Sequence, residues 1–346
     1  MKIAVDAMGG DQAPSVVVEG TLETARQYPS HQFTLVGPKE ALDHELNKHT
    51  GLPSNIEIRN ATQVITMNEH PIEALKTKRD SSIHGCVRMV ASGEAQGLMS
   101  AGNTGAVVAA AIFKLGLIEG VKRAGIMIPL PTEQGFAGMI DAGANLKCQP
   151  INFLHYAMMA STYIKVATGQ KDEPPVGLIN VGEESEKGTL VHQQTHLLFK
   201  RFLEHRFVGN IEGHELFTGK AQVLVCDGFT GNVVLKMGEG IIHTFTRMLL
   251  SNGLHESLRE EVYRVSKRFD YSEYGGAPLL GVNGVVIIAH GRSTPKAIAK
   301  AVQSGLDVAE RDLLGQLRTE LGQLTLWRRF QKWFEEKWFE DKSGKE

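Results

Sequence analysis

The chain has 346 residues, 42% hydrophobic and 22% charged, ordinary proportions for a soluble globular protein of one large α/β domain or two smaller ones. A formal net charge of −2 gives no global attraction to nucleic acid or to an acidic membrane, so any basic patch is local. Three scattered cysteines, Cys86, Cys148 and Cys226, argue against a disulfide framework or zinc site and fit a reducing cytoplasm.

The opening MKIAVDAMGGD reaches Asp6 too soon for a signal peptide. KIAVDA reads as a strand, MGGDQAP as a turn, and Pro14 suits the first turn of a helix running to about Gln27. QFTLVG and NIEIRNA are further strands. DSSIHGCVRMVASG is a helix capped by Asp80 or Ser81. GLMSAG is a strand feeding SAGNTGA and the helix VVAAAIFKLGLI. GFAGMIDAGAN is a strand and loop, with a helix from about Pro150. PPVGLINVGEESEKG leads to the helix TLVHQQTHLLFKRFLEH, AQVLVCDGFTGN to VVLKMGEGIIHTFTRMLL, and GVVIIAHGRSTP to a helix at Pro295. No apolar run approaches the ~18 residues of a membrane span.

This alternation predicts an α/β fold: a three-layer, mostly parallel, Rossmann-like sheet covered on both faces. Ligands bind beyond the carboxyl ends of such strands. The glycine-rich turns all follow strands, so they are expected on one edge, converging on one site. From about Val233 to Phe269 two helical stretches joined by SNGL predict a projecting αα-hairpin. Residues 1–320 are read as one catalytic domain including this hairpin, and 321–346 as an amphipathic aromatic tail.

SAGNTGA carries the first chemical signal. Gly102 and Gly105 permit a tight turn and close approach, and free amides at a helix start favour an anion. Ser100, Asn103 and Thr104 add side-chain donors; the plainer reading is a capped, tightly packed helix. Lys187 in NVGEESEKG is either a phosphate or oxyanion contact or part of a solvated loop. In CDGFTGNVVLK, Asp227 caps the helix or orients a donor, and Cys226 is inert. In AHGRSTPKAI, His290 and Arg292 stand at a strand end, where His290 is either a proton donor or structural. Lys76, Lys78 and Arg79 precede a helix start as a phosphate contact, a docking point or a solvated turn. Asp6 and Asp11 lack further ligands, so no metal is expected. Neither a Walker loop nor G-x-G-x-x-G is present. The residues point to transfer involving a phosphate-bearing ligand, without a covalent enzyme intermediate or a cofactor.

In this order, KIAVDAMGGDQAP, SAGNTGA, DAGAN, NVGEESEKG, CDGFTGN and YGGAPLLGVNGVVIIAHGRS resemble the phosphate acyltransferase (PlsX) family of bacterial phospholipid synthesis. The match runs from Met1 to about Asp312 and leaves the tail outside it. The resemblance implies a fold similar to phosphotransacetylase and isocitrate dehydrogenase. It implies transfer of a long acyl chain from acyl–acyl carrier protein to inorganic phosphate. A glycerol-3-phosphate acyltransferase then uses the acyl phosphate. It also implies a cytoplasmic homodimer, peripherally membrane-associated, with no nucleic acid partner.

On that reading, phosphate sits at Ser100, Gly102, Asn103 and Thr104, with Lys187, Lys78 and Arg292 as further contacts. His290 stabilises the oxyanion or protonates the leaving thiol, and Asn232 and Asp227 line or orient the site. Arg264, Lys267 and Arg268 form a basic face for an acidic carrier protein, or an ordinary solvated face. Met248, Leu249, Leu250 and Leu254 at the hairpin tip enter lipid or pack in a dimer. Trp327, Phe330, Trp333, Phe334 and Trp338 make a stripe that binds membrane or packs on protein. The rivals are a phosphotransacetylase-like enzyme for short acyl-CoA, a metal-dependent NAD dehydrogenase and a non-catalytic membrane scaffold.

Overall fold

Short β-branched strands alternate with amphipathic helices through the first third of the chain. The computed structural model describes residues 1–251, 256–267, 269 and 274–322. The strands are β1 (Lys2–Asp6), β2 (Gln32–Gly37), β3 (Ile56–Asn60) and β4 (Gly97–Ser100). Around them lie α1 (Ser15–Gln27), α2 (Lys39–Leu46), α3 (Pro71–Thr77), α4 (Ser82–Ala91) and α5 (Thr104–Leu115). Ser81 caps α4 by accepting from the His84 amide. All four strands pair in parallel, in the order β3-β2-β1-β4.

Next comes an element absent from the sequence expectation. GIMIPLPT forms β5 (Gly125–Thr132), which folds back through a two-residue turn onto β6 (Gly135–Ile140) as an antiparallel hairpin. A second parallel set follows: α6 (Pro150–Thr168), β7 (Val176–Ile179), α7 (Leu190–Phe202), β8 (Phe207–Ile211) and β9 (Val223–Val225). Two long helices, α8 (Gly228–Ser251) and α9 (Glu256–Lys267), form the expected hairpin. The chain returns through β10 (Ala277–Leu280) and β11 (Val285–Ile288) and ends its described part with α10 (Pro295–Glu310) and α11 (Leu313–Gly322).

One sheet of 11 strands results, ordered β3-β2-β1-β4-β11-β10-β5-β6-β9-β7-β8. Its sides read alternately: Ile3 and Val5 of β1 enter one core, Ala4 the other. One core is closed by α1, α2, α6, α7, α10 and α11, the other by α3, α4 and α5. Close approach decides some positions. A Cβ on Gly20 of α1 would lie 2.4 Å from the Pro295 carbonyl oxygen of α10, so this helix pair needs glycine there.

The sheet is mostly parallel, but its two parallel sets run in opposite senses. β10 is antiparallel to both β11 and β5, and β5 is antiparallel to β6. The loops after β1, β4 and β11 therefore open at one end, and those after β6, β9 and β7 open the other way. β11 and β6 are also three strand spacings apart, roughly 14 Å. The single edge expected for all the glycine-rich turns is thus two edges. The cause is an odd number of sense reversals through β10, β5 and β6.

The hairpin begins at Gly228, not near Val233, because Asp227 caps it. Leu254, Arg268 and the tail from 323, including Trp327, Phe330, Trp333, Phe334 and Trp338, lie outside the described residues.

His155 is buried in α6, and desolvation holds its imidazole down to about 4. The folded state prefers the neutral ring, so its contribution is intact above the ordinary value of 6.5 and is lost as pH falls toward 4. Thermal unfolding followed from pH 7 to 4 should show a loss on the order of 2–3 kcal/mol that His155→Phe lacks.

Candidate active site

Two groups of loops carry the polar residues. The first lies at the ends of β1, β4 and β11. Asp6 is fully buried and accepts hydrogen bonds from Ser100 Oγ at 2.6 Å and the Met8 amide at 3.3 Å. Burial raises its pKa, against the lowering effect of its hydrogen bonds. Ser100 Oγ accepts in turn from the Gly102 amide at 3.1 Å. A Cβ on Gly102 would meet Asp6 Oδ2 at 3.0 Å, so this glycine makes room for a carboxylate of the protein itself.

Asn103 is the N-cap of α5, accepting from the Ala106 amide at 3.1 Å. Its Nδ2 donates to the carbonyls of Thr66, Met67 and Glu69 at 3.2, 3.3 and 3.0 Å. Thr104 is exposed at the first helical position. Lys78 Nζ donates to Glu69 Oε2 and the Val64 carbonyl, both at 2.7 Å, and Lys78 holds Glu69 down to about 2. His290 Nδ1 accepts from the Arg292 amide at 3.1 Å. The exposed Arg292 guanidinium reaches to 4.0 Å from Asp11. Ser100, Asn103 and Lys78, expected at phosphate, thus have their polar atoms engaged within the protein, and the carboxylate beside the turn is Asp6.

The second group lies at the ends of β6, β7 and β9. Its centre is Asp141, with no exposed surface. One oxygen accepts from the amides of Ile126, Gly143 and Ala144 at 3.1, 3.1 and 2.9 Å. The other accepts from the Asn145 amide at 2.7 Å and its Nδ2 at 3.0 Å. Burial pushes Asp141 upward and these donors pull it down, with burial the larger. The pinned loop receives α8: the Gly228 amide donates to the Asn145 carbonyl at 2.8 Å. Asp227 caps α8, accepting from the Thr230 amide at 2.8 Å and its hydroxyl at 3.2 Å. A Cβ on Gly231 would fall 2.0 Å from the Asp141 carbonyl oxygen, so glycine lets the helix seat this deeply.

Asn232 is exposed on the first turn of α8, beside Gly143. The NVGEESEKG loop joins from β7. Buried Asn180 donates to the Lys187 carbonyl at 3.1 Å, holding the loop closed at its base. Lys187 projects half-exposed, its Nζ 3.9 Å from Glu184. Glu183 lies 3.5 Å from Lys220, so the loop's acidic residues face outward to cations.

His192 was missed by sequence reading. Its Nδ1 lies 2.7 Å from Thr189 Oγ1 and its ring meets the edge of Phe153. Burial lowers its pKa, and the charge of Asp227 opposes that shift. Its only signal was its place just after the NVGEESEKG loop. Cys226 is buried, its thiol pushed well above the ordinary range by desolvation. That suits no nucleophile.

The loops after β7 and β9 and the helix starts that follow them thus carry Lys187, His192, Asp227 and Asn232 at one end of the sheet, and Ser100, Gly102, Asn103, Thr104, His290 and Arg292 lie at the other. The second group offers an exposed ammonium, an exposed amide and the positive end of a 24-residue helix. Exposed Leu146, Val181, Leu190 and Phe229 belong to the same loops and helix starts. Among the described residues, no three His, Cys, Asp or Glu gather to hold a metal ion.

Comparisons with known proteins place the chain among relatives of known activity. Residues 1–315 match the family model described as fatty acid synthesis protein. Phosphate acyltransferase of Pelotomaculum thermopropionicum is 43% identical over 339 residues, covering 93% of this chain and 95% of that one. The phosphate acyltransferase of Carboxydothermus hydrogenoformans is 43% identical over 336 residues, covering 94% and 99%. Among solved structures, a phosphotransacetylase from Streptococcus pyogenes aligns with a TM-score of 0.62 at 16% identity, covering 90% and 94%. The EutD phosphotransacetylase from Staphylococcus aureus aligns at 0.59 and 15%, covering 90% and 94%; both show a shared fold. The chain belongs to the phosphate acyltransferase (PlsX) family and is an acyltransferase that moves an acyl group to phosphate.

Proposed function

We propose that the acyl donor is a long-chain acyl–acyl carrier protein and that the acyl phosphate formed feeds phosphatidic acid synthesis through a glycerol-3-phosphate acyltransferase. The supporting observation is that the paired parallel strands β7 and β9 carry Lys187 and Asn232 at one end of the sheet, the latter on the first turns of α8. Phosphate is already an anionic nucleophile, so the enzyme's task is to hold it against the thioester carbonyl. A phosphate oxygen bonds to the carbonyl carbon, the carbonyl oxygen takes up negative charge, and the C–S bond then breaks. Lys187 and the first turn of α8 bind phosphate, and the Asn232 amide meets the oxyanion. The departing thiolate takes a proton, for which His192 replaces His290 as the imidazole sharing this centre. Arg292 stays at the other sheet end and serves no step here.

The hairpin supplies the partner surfaces. Arg264 is exposed on α9 and ion-paired to Glu261. This face meets the acidic carrier. Met248 and Leu249 are exposed near the end of α8, with Leu250 half-buried beside them. They touch lipid, where a water-insoluble product must leave. Among the described residues, no helix is long and apolar enough to cross a membrane. The active form is a homodimer.

Purified protein incubated with palmitoyl–acyl carrier protein and phosphate should yield acyl phosphate and free carrier thiol by mass spectrometry. Turnover of acetyl-CoA alone would instead support a phosphotransacetylase-like enzyme. Lys187→Ala and Asn232→Ala should each lower kcat/KM by ~10²–10³ with the fold intact. Asn103→Ala should behave differently, losing ~1 kcal/mol of stability through its cap while turnover holds near wild type. Arg264→Glu should raise KM for the carrier substrate and leave KM for phosphate unchanged. Equal shifts in both KM values would remove Arg264 from docking.

A further inference from the structure

Three exposed cations border the Asp141 loop and take no part in the steps above. Lys122 and Arg123 come just before β5, and Lys147 comes just before α6. Asn145 ties the two segments together. Its Nδ2 donates to the Ala124 carbonyl at 2.6 Å and to the Tyr156 hydroxyl at 2.9 Å. Arg123 adjoins Ala124, and Lys147 stands two residues past Asn145, so both flank this junction. Burial raises the Tyr156 phenol, and the Arg123 charge acts against that shift. The same phenol oxygen lies 3.8 Å from the thiol of Cys148, the neighbour of Lys147. Burial lowers His155, and the Lys122 charge adds to that shift.

The backbone beneath these cations is firm. Val121 and Ala124 are buried on either side of Lys122 and Arg123, so the two long side chains project from a fixed base. Among the described residues, Arg123 and Lys147 have no carboxylate partner. The patch is also close to the reaction centre. A Cβ on Gly143 would lie 3.6 Å from Asn232 Cβ. Lys147 is four residues further along, so its backbone is at most ~14 Å from Gly143. The proposed donor presents its thioester on a pantetheine arm that ends in a phosphate ester. From sulfur to phosphate this arm has the backbone length of roughly four residues, ~14 Å extended. With the thioester at Asn232, the phosphate can reach the cations.

We infer that Arg123 and Lys147, with Lys122 beside them, bind the phosphate ester of the donor's pantetheine arm. This rests on the thioester donor proposed above and adds a subsite separate from that of inorganic phosphate at Lys187. The Arg123 fork meets two phosphate oxygens at once, and the lysines add point charge. The contact is remote from the reacting atoms. It holds the arm so that the thioester is aligned before phosphate attacks.

The test compares S-palmitoyl-4′-phosphopantetheine with S-palmitoylpantetheine, which differ only in that phosphate. Wild type should favour the phosphorylated donor ~10-fold or more in kcat/KM. Arg123→Gln/Lys147→Gln should lose that preference, with the unphosphorylated donor and KM for inorganic phosphate unchanged. Both side chains are exposed, so the fold is retained. Lys171→Gln, beyond the far end of the 19-residue α6 and roughly 28 Å away, should match wild type. The arm occurs on acyl carrier protein and on coenzyme A, so palmitoyl–acyl carrier protein and palmitoyl-CoA are run in parallel. The double variant should lose on the carrier donor; loss confined to palmitoyl-CoA assigns the patch to the nucleotide phosphates and overturns the inference. Equal loss on both pantetheine donors, no preference in wild type, or a raised KM for inorganic phosphate overturns it too. If wild type forms no acyl phosphate from any donor, the proposed activity fails. Calorimetry of 4′-phosphopantetheine against pantetheine then judges the subsite alone: tighter binding of the phosphorylated arm, lost in the double variant, upholds it, and equal binding overturns it.

Discussion

The second half of the molecule hangs on the Asp141 carboxylate. Five N–H groups converge on it in the absence of solvent, and leaving them unpaired would cost far more than any single one contributes. They come from β5, from the loop after β6 and from Asn145. Asn145 also reaches the Ala124 carbonyl and the Tyr156 hydroxyl, tying the loop to the sheet and to α6. Two glycines then let the start of α8 approach this loop at backbone distance. A buried anion thereby fixes where the positive end of a long helix opens to solvent.

Asp6 plays the corresponding part in the first half. It sits at the end of β1 as Asp141 sits just past β6, and Ser100 links it to the loop before α5. The difference lies in what remains outward. Around Asp6, Ser100, Asn103 and Lys78, which looked like ligand donors, are bound to the protein. Around Asp141, the organiser is internal and Lys187 and Asn232 are left projecting. Two loops with nearly the same layout, SAGNTGA and DGFTGN, thus do different work. The distinction comes from which neighbour supplies the anion.

The hairpin shows a third consequence. α8 starts against the Asp141 loop and runs out to Ser251 along a nearly unburied path, with only Gly228 and Gly231 buried.

Much was legible along the chain. Strand–turn–helix rhythm marked the α/β class, a cap at Asp80 or Ser81, a capping or orienting place for Asp227, the hairpin and the motifs that carry the family resemblance, because each is a local pattern of side chains on a regular backbone. Lys187, Asp227 and Asn232 were legible as polar residues in glycine-rich turns. Strand sense was not. GIMIPLPT and APLL are short apolar runs whose direction depends on partners far away in sequence, so the reversal through β5, β6 and β10 and the split into two edges appear only when the sheet is assembled. Burial partners were equally hidden. Asp6 satisfies Ser100 across 94 positions, and His192 on α7 feels the charge of Asp227, which precedes α8. Composition and spacing decide which groups a loop carries. Long-range packing decides which of them are already occupied and which are left to meet a substrate.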